Sequence, residues 1–327
     1  MQTLHVLNGD ATREKLELAG IPGVLTVWAD VLHDGPVPNL PPSELRRVRA
    51  QHLEPYVART ADDMVSRADA WDAALDRYGD YDELVFWFEH DLFDQLILIR
   101  HLHWLSQIPH ASARFSLICI GAYPGRPNFA GLGELAPSEL AGLFPLRRPI
   151  TWQQIVLGTT AWDLFRAAEP TALLEWLDHA DLSALPYLDG ALRRHLDDFP
   201  STMNGLSRSE SQILKAVVEG QSTAVDIFVA TQRMEERVFM GDLTFWSIIR
   251  RLAGARTPLV SVDGDTPQLP FTGVRVEITR AGREVLAGEK DHVELNGIDR
   301  WMGGAHLTTA RHWRWDGELL TSTSKGR

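Results

Sequence analysis

The sequence predicts an α/β protein: an open, mainly parallel sheet with helices on both faces, followed by a helical segment and a winged-helix-like α+β domain. Two observations predict it. Through the first 120 residues, apolar runs of strand length alternate with stretches of helical periodicity, the pattern of a parallel sheet crossed over by helices. After residue 205 the pattern changes to three helical stretches and two short strands. The 327 residues, 44% hydrophobic and 23% charged, fit a globular chain of more than one domain. The expected segments are 1–150, 151–205 and 206–327.

His5 to Leu7 form a short apolar strand, and Asn8-Gly9-Asp10 is a turn whose aspartate can cap a helix over 11–19. Gly20 and Pro22-Gly23 end that helix, and Val24 to Trp28 read as the second strand. Asp30 to Pro38, with His33-Asp34-Gly35-Pro36, is a turn-rich loop. A polar helical region follows over about 42–79. Leu84 to Phe88 is an apolar run of the kind found in strands buried on both faces. Leu92, Leu96, Ile99 and Leu102 set out the helix after it. Phe115 to Ile120 give another buried strand, closed by Gly121.

Residues 121–138 are rich in glycine and proline and read as an ordered loop or lid. The glycines at 121, 125, 131 and 133 do not make a dinucleotide fingerprint, and no P-loop lysine occurs. Residues 151–198 read as helical, with Trp152, Trp162 and Trp176 expected in the core. Pro200 to Gly205 marks a domain boundary. Beyond it, Ser207-Arg-Ser-Glu210 has capping-box spacing ahead of Ile213, Leu214, Val217 and Val218. Further helices fit 223–230 and 242–252. Strands at 259–262 and 274–278 are joined by a turn containing Asp263-Gly264-Asp265, and a closing helix starts at Thr279. The residues after it read as a C-terminal tail.

The feature that points to chemistry is Glu89-His90-Asp91, three ionisable groups where a buried strand hands over to a helix. Open α/β sheets place ligands at such strand ends, and burying these groups without partners is costly. A histidine with two carboxylates can move a proton near neutral pH or bind a divalent ion. Glu89 and His90 are therefore the candidate catalytic residues. The plainer reading has Asp91 capping the next helix and Asp94 favourable near its positive end.

Asn8 and Asp10 follow the first strand, and His33 and Asp34 follow the second. Parallel strands would open all three loops at one end of the sheet, so Asn8, Asp10, His33, Asp34, Asp91 and Asp94 are candidate ligand-binding residues. Taken one at a time, the Asn-Gly-Asp and His-Asp-Gly-Pro residues read better as ordinary turn residues; taken together, three polar loops at successive strand ends favour a pocket. His306, after Gly303-Gly304, is the remaining candidate, as part of a segment folded over a cleft or of a tail packed on its own domain.

Charge bears on partners. The net charge is −12 at pH 7; residues 1–205 carry 16 basic and 28 acidic groups, and residues 206–327 carry 16 of each. No basic stripe marks a nucleic-acid surface. The third helix of the winged unit, 242–252, starts with an acid and is apolar around most of its circumference, so it reads as buried instead of reading DNA. Only Arg250 and Arg251 at its end suit that task. No apolar run spans a bilayer, and the N-terminus lacks a signal peptide's basic start and apolar core. The one cysteine, Cys119, sits in a strand pattern, so a reducing, cytoplasmic setting is expected.

Three long motifs carry a resemblance: His5-Val-Leu-Asn-Gly-Asp10, Trp87-Phe-Glu-His-Asp-Leu-Phe-Asp-Gln95 and Asn296-Gly-Ile-Asp-Arg-Trp-Met-Gly-Gly-Ala-His306. They resemble the bacterial domain of unknown function 1835 family, whose C-terminal half is catalogued as domain of unknown function 3658. Gly241-Asp242-Leu-Thr-Phe-Trp246 and Trp313-Arg-Trp-Asp316 extend the resemblance over nearly the whole chain. It implies an architecture and brings no activity with it. The expected function is binding, with or without turnover, of a small polar or phosphorylated metabolite at the strand ends, with a divalent metal as a compatible cofactor. A ligand-sensing transcriptional regulator and a protein–protein adaptor are the alternatives. No nucleophile is identifiable.

Overall fold

A computed structural model describes residues 2–57, 59–109, 113–127, 129–263 and 272–324. The chain forms two compact units, each assembled from separate stretches. The first comprises Met1–His33, Asp62–Phe165 and His179–Ala191; the second comprises Asp34–Ala61, Arg166–Asp178 and Leu192–Arg327. These cuts differ from the consecutive segments expected from sequence, because the stretch after His33 packs with the C-terminal part of the chain.

In chain order the elements of the first half are β1 (Thr3–Leu7), α1 (Asp10–Ala19), β2 (Val24–Val27), β3 (Gly35–Pro36), α2 (Pro42–Leu53) and α3 (Ala61–Asp76). Then come β4 (Glu83–Glu89), α4 (Leu92–Gln107), β5 (Arg114–Ile120), α5 (Pro137–Leu143), β6 (Arg148–Pro149), α6 (Trp152–Phe165), α7 (Thr171–His179) and α8 (Leu188–Leu196). The strand at 84–88, its helix, and the strands at 3–7, 24–27 and 114–120 match the sequence reading closely.

The first unit is built on a sheet of order β2-β1-β4-β5-β6, parallel except for the short β6. Strand alternation sends Val85 and Trp87 to one face, where they join Leu7, Leu16 of α1, and Leu140 and Leu143 of α5 in one apolar cluster. Phe86 and Phe88 take the other face, against His101 of α4. All seven residues of β4 are buried, as its unbroken apolar run requires. Helix α6 packs on α4 so closely that a Cβ on Gly158 would lie 2.5 Å from Leu102. Of the three tryptophans expected in the core here, Trp162 is buried, Trp176 is half-buried and Trp152 is exposed. Trp152 opens α6, where the helix has only begun to turn its apolar side inward.

The second unit continues with α9 (Arg208–Val218), α10 (Ala224–Arg233), α11 (Asp242–Ala253), β7 (Val260–Val262), β8 (Val276–Ile278) and α12 (Arg280–Leu286). Ser207 and Glu210 make the capping box that their spacing announces, and Thr279 caps α12. The antiparallel β7–β8 pair follows the three helices in the expected order. Most of the turn between these strands lies outside the described residues, Gly264 and Asp265 included.

The region read as a tail is instead structured: α13 (His292–Asn296), β9 (Asp299–Gly303), β10 (Ala305–Thr308), β11 (Arg311–Trp315) and β12 (Leu320–Ser324). Strand β9 pairs with β10 and, in parallel, with β3. The Gly35-Pro36 pair is thus a strand where a loop was expected. It escapes a reading of local pattern because its partner lies near the other end of the chain. The Gly303-Gly304 turn is equally constrained: a Cβ on Gly304 would lie 1.8 Å from the carbonyl oxygen of Arg166.

Helix α11 is buried along most of its length, as its composition predicts. The stretch 34–57 lies over it. Ser247 Oγ is 3.5 Å from Asp34 Oδ2, and the Arg250 guanidinium donates to Pro55 O at 3.0 Å beside the Tyr56 ring. Arg251 pairs with the fully buried Glu210. Burial alone would raise the pKa of Glu210, but Arg300, His292 and Arg251 around it hold the carboxyl well below its usual range. Among the described residues, no helix of either unit is long and apolar enough to cross a membrane.

Candidate functional site

Parallel pairing brings the C-terminal ends of β1, β2, β4 and β5 to one edge of the sheet. Leu7 pairs with Trp87, so Asn8 leaves β1 beside the last residues of β4. The chain then turns from β4 into α4 with Asp91 at the N-cap, its Oδ1 accepting from Asp94 N–H at 3.2 Å. Capping is the role the plainer reading gave Asp91. It places Asp94 inside the first helical turn, folded back toward the strand, where Glu89 N–H donates to Asp94 Oδ2 at 2.5 Å.

The outcome is a convergence of acids. Glu89, Asp91 and Asp94 are all buried, and one carboxylate oxygen from each lies within 4.8 Å of the others. Asn8 ties two of them together, its Nδ2 donating to Glu89 Oε1 at 3.2 Å and to both oxygens of Asp94 at 3.0 Å. Leu132 N–H donates to Glu89 Oε1 at 2.6 Å, and Gln95 donates to the Glu89 carbonyl at 2.6 Å. Gly131 brings the 130–134 loop against this acid; a Cβ there would lie 2.2 Å from Glu89 Oε2. That close approach is what the residue's lack of a side chain permits.

Electrostatics follows from the crowding. Burial pushes Glu89 up to about 8, the Asp91 carboxylate adds to the rise, and the Leu132 and Asn8 donors oppose it. Asp94 is raised well above its ordinary value by burial first, then by the charges of Glu89 and Asp91. Burial also raises the Cys119 thiol, which lies beside Gln95 and the Glu89 carbonyl and stays protonated at neutral pH.

A cleft of about 270 Å³ opens against Glu89, lined also by Asn8, Thr12, Gly131, Gly133 and Glu134. Glu89 Oε2 accepts no hydrogen bond among the described residues and is the carboxylate oxygen left over for a ligand there. With acids on both sides and small residues between them, the cleft suits a small cationic or metal-bound group.

The other candidates lie elsewhere. Asp10 is the first residue of α1, with Gly9 as N-cap, so it does not cap the helix. Its half-exposed carboxylate turns instead to Arg13 and Arg67. His33 meets the edge of Phe93 with ring centroids 6.0 Å apart. His90 is buried, stacked on Phe129 and edge-on to Tyr187, and is absent from the cleft lining. Of the two candidate catalytic residues, Glu89 reaches the cleft and His90 does not, and both are buried, each only 7% exposed. Phe129 against the His90 ring and Leu132 against the Glu89 carboxyl help to cover them. Asp34 belongs to the second unit, against His52 and Ser247. So does His306, which stacks on Trp301 and bonds Asp299 Oδ1 at 2.7 Å.

Thr12, Gly131, Leu132 and Gln95 were not singled out from sequence. For Gly131 and Leu132 the Gly131-Leu-Gly133 run in the 121–138 loop was the available signal, and for Gln95 its place at the end of the 87–95 motif. No model of a known protein family matches the chain, and no curated protein matches it.

Proposed function

We propose that the first unit binds a divalent cation on Glu89, Asp91 and Asp94 and, through it, a small polar or phosphorylated ligand in the adjoining cleft. The observation that carries this reading is the meeting of three buried carboxylates within 4.8 Å, two of them with pKa values driven up by burial and by the other acids. A bound cation would let all three ionise together. The donor set is oxygen only, which favours a hard ion such as Mg²⁺, Mn²⁺ or Ca²⁺ over Zn²⁺ or copper. The acid-lined cleft disfavours a bare phosphate, so a phosphorylated ligand would arrive with its metal.

Acid catalysis is the alternative use of the site without a cation, since a cation would ionise Glu89. Glu89, protonated near neutral pH and facing the cleft, has the placement of a general acid. Isothermal titration with Mn²⁺, Mg²⁺ and Ca²⁺ tests the reading, with Glu89→Gln as the comparison. Saturable binding by the native protein that the variant loses supports it; no heat and no thermal stabilisation from any of the three ions at millimolar concentration would end it.

The regulator reading has one observation in its favour, the three-helix and two-strand order of residues 208–278, which fits a winged helix. The covering of α11 by residues 34–57 and the engagement of Arg250 and Arg251 weigh against it as a DNA reader. An adaptor role fits this covered module equally well. Membership of the domain of unknown function 1835 family is proposed on the quoted motifs, and a cytoplasmic setting on the single reduced cysteine.

A further inference from the structure

Thr12 is the second residue of α1 after Asp10, buried at the foot of the cleft. Its Oγ1 donates to Asn8 Oδ1 at 3.2 Å, the one hydrogen bond to that oxygen among the described residues. The amide nitrogen at the other end of the Asn8 side chain serves Glu89 and Asp94. An amide has one acceptor end and one donor end, so what occupies the first decides what the second can do.

We infer that Thr12 is a positioning residue for the carboxylate site: its hydroxyl holds the Asn8 amide plane so that the nitrogen faces Glu89 and Asp94. The inference rests on the cation reading for its functional meaning, and on the hydrogen-bond geometry alone for its structural content. The arrangement is a relay of two side chains from one short stretch, residues 8 and 12, one helical turn apart. Removing the hydroxyl leaves Asn8 Oδ1 against a methyl group in a partly buried place, which is unfavourable. The side chain then swings toward the water of the cleft, and Glu89 Oε1 and Asp94 lose a donor that orients them. Partners that orient metal ligands in this way typically matter 10–100-fold for affinity.

Thr12→Val removes the hydroxyl at nearly constant volume, and Thr12→Ser restores it. Two measurements are made on each: Mn²⁺ affinity by titration, and hydrogen exchange of the Asn8 side-chain amide by NMR in the metal-free protein. The expected result is that Thr12→Val weakens Mn²⁺ binding about 10-fold and speeds Asn8 amide exchange. Thr12→Ser should behave like the native protein in both. Thr12→Ala replaces the valine variant should that one not fold. Native-like affinity and native-like Asn8 exchange in Thr12→Val overturn the inference. So does failure of Thr12→Ser to restore them, since that assigns the effect to packing of the methyl group. If the native protein binds none of Mn²⁺, Mg²⁺ and Ca²⁺, the cation reading falls, while Asn8 exchange still decides the role of Thr12.

Discussion

Asn8 Nδ2 stands 3.0 Å from each carboxylate oxygen of Asp94, a contact that joins the end of the first strand to the start of a helix 86 residues further on. Asp94 is fully buried, and its other donor among the described residues is the backbone N–H of Glu89. Asn8→Ala should therefore cost about 1–3 kcal/mol in urea unfolding, the usual penalty for stripping a donor from a buried acceptor. Asn8→Asp should cost more at pH 8 than at pH 5, because it adds a fourth carboxylate to the cluster. A melt of Asn8→Ala that overlays the native curve would detach Asn8 from the stability of the site.

The raised pKa of Glu89 makes a prediction with a definite sign. Its folded value of about 8 lies above the ordinary 4.5, so between those limits the folded protein holds more proton than the unfolded chain. The stabilisation is full below about pH 4.5 and is lost as pH rises through about 8. Asp94 acts in the same direction. The metal-free protein should lose stability across that window, by up to about 1.4 kcal/mol per pH unit for each group. Glu89→Gln should flatten the profile, and saturating Mn²⁺ should flatten or reverse it. Denaturation midpoints at four or five pH values check this; a native profile that rises toward pH 8 without metal contradicts it.

Gly131→Ala puts a methyl group where Glu89 Oε2 now sits, 2.2 Å from it. Either the acid or the loop must move. The expected cost is about 1–3 kcal/mol from overpacking, together with loss of cation binding. Gly133→Ala is the control, since its Cβ would meet nothing nearer than Ala11 at 3.8 Å. Equal effects of the two substitutions would remove the special role of Gly131.

Duplex DNA should bind the protein weakly or not at all. The helix that would read it is buried, its Arg250 is held by Pro55 O, and its Arg251 pairs with Glu210. A fluorescence-anisotropy titration with random duplex should show no saturation below about 1 µM, the tight end of non-specific binding at physiological salt. Sub-micromolar binding that weakens steeply with salt would reinstate the regulator.

Much of the first unit was legible because its signals are local. The apolar run 84–88 fixes a doubly buried strand, Asp91 three residues before Asp94 sets a cap, and Ser207 with Glu210 announces a helix start. What the sequence left open depends on partners far along the chain. Nothing near Asn8 and Asp10 distinguishes them; the register of β1 against β4 puts Asn8 at the acids and leaves Asp10 outside. The burial of Glu89 and His90 comes from Phe129 and Leu132, some 40 residues later. His33 and Asp34 are neighbours in sequence yet fall in different units. The four strands after residue 298 were hidden because short, tryptophan- and glycine-rich stretches carry little periodicity.

The pairing of Gly35 with Met302 has a consequence for biosynthesis. A ribosome adding roughly 5–20 residues per second releases β3 tens of seconds before its partner strand emerges. Throughout that interval the 34–57 stretch has no β9 to pair with, and for most of it no α11 to cover, while β1 and β2 must wait for β4 on the far side of it. The second unit can close only once β9 has been made. Nascent chains arrested short of about residue 303 should accordingly be protease-sensitive at 34–57, and release of the full chain should protect them.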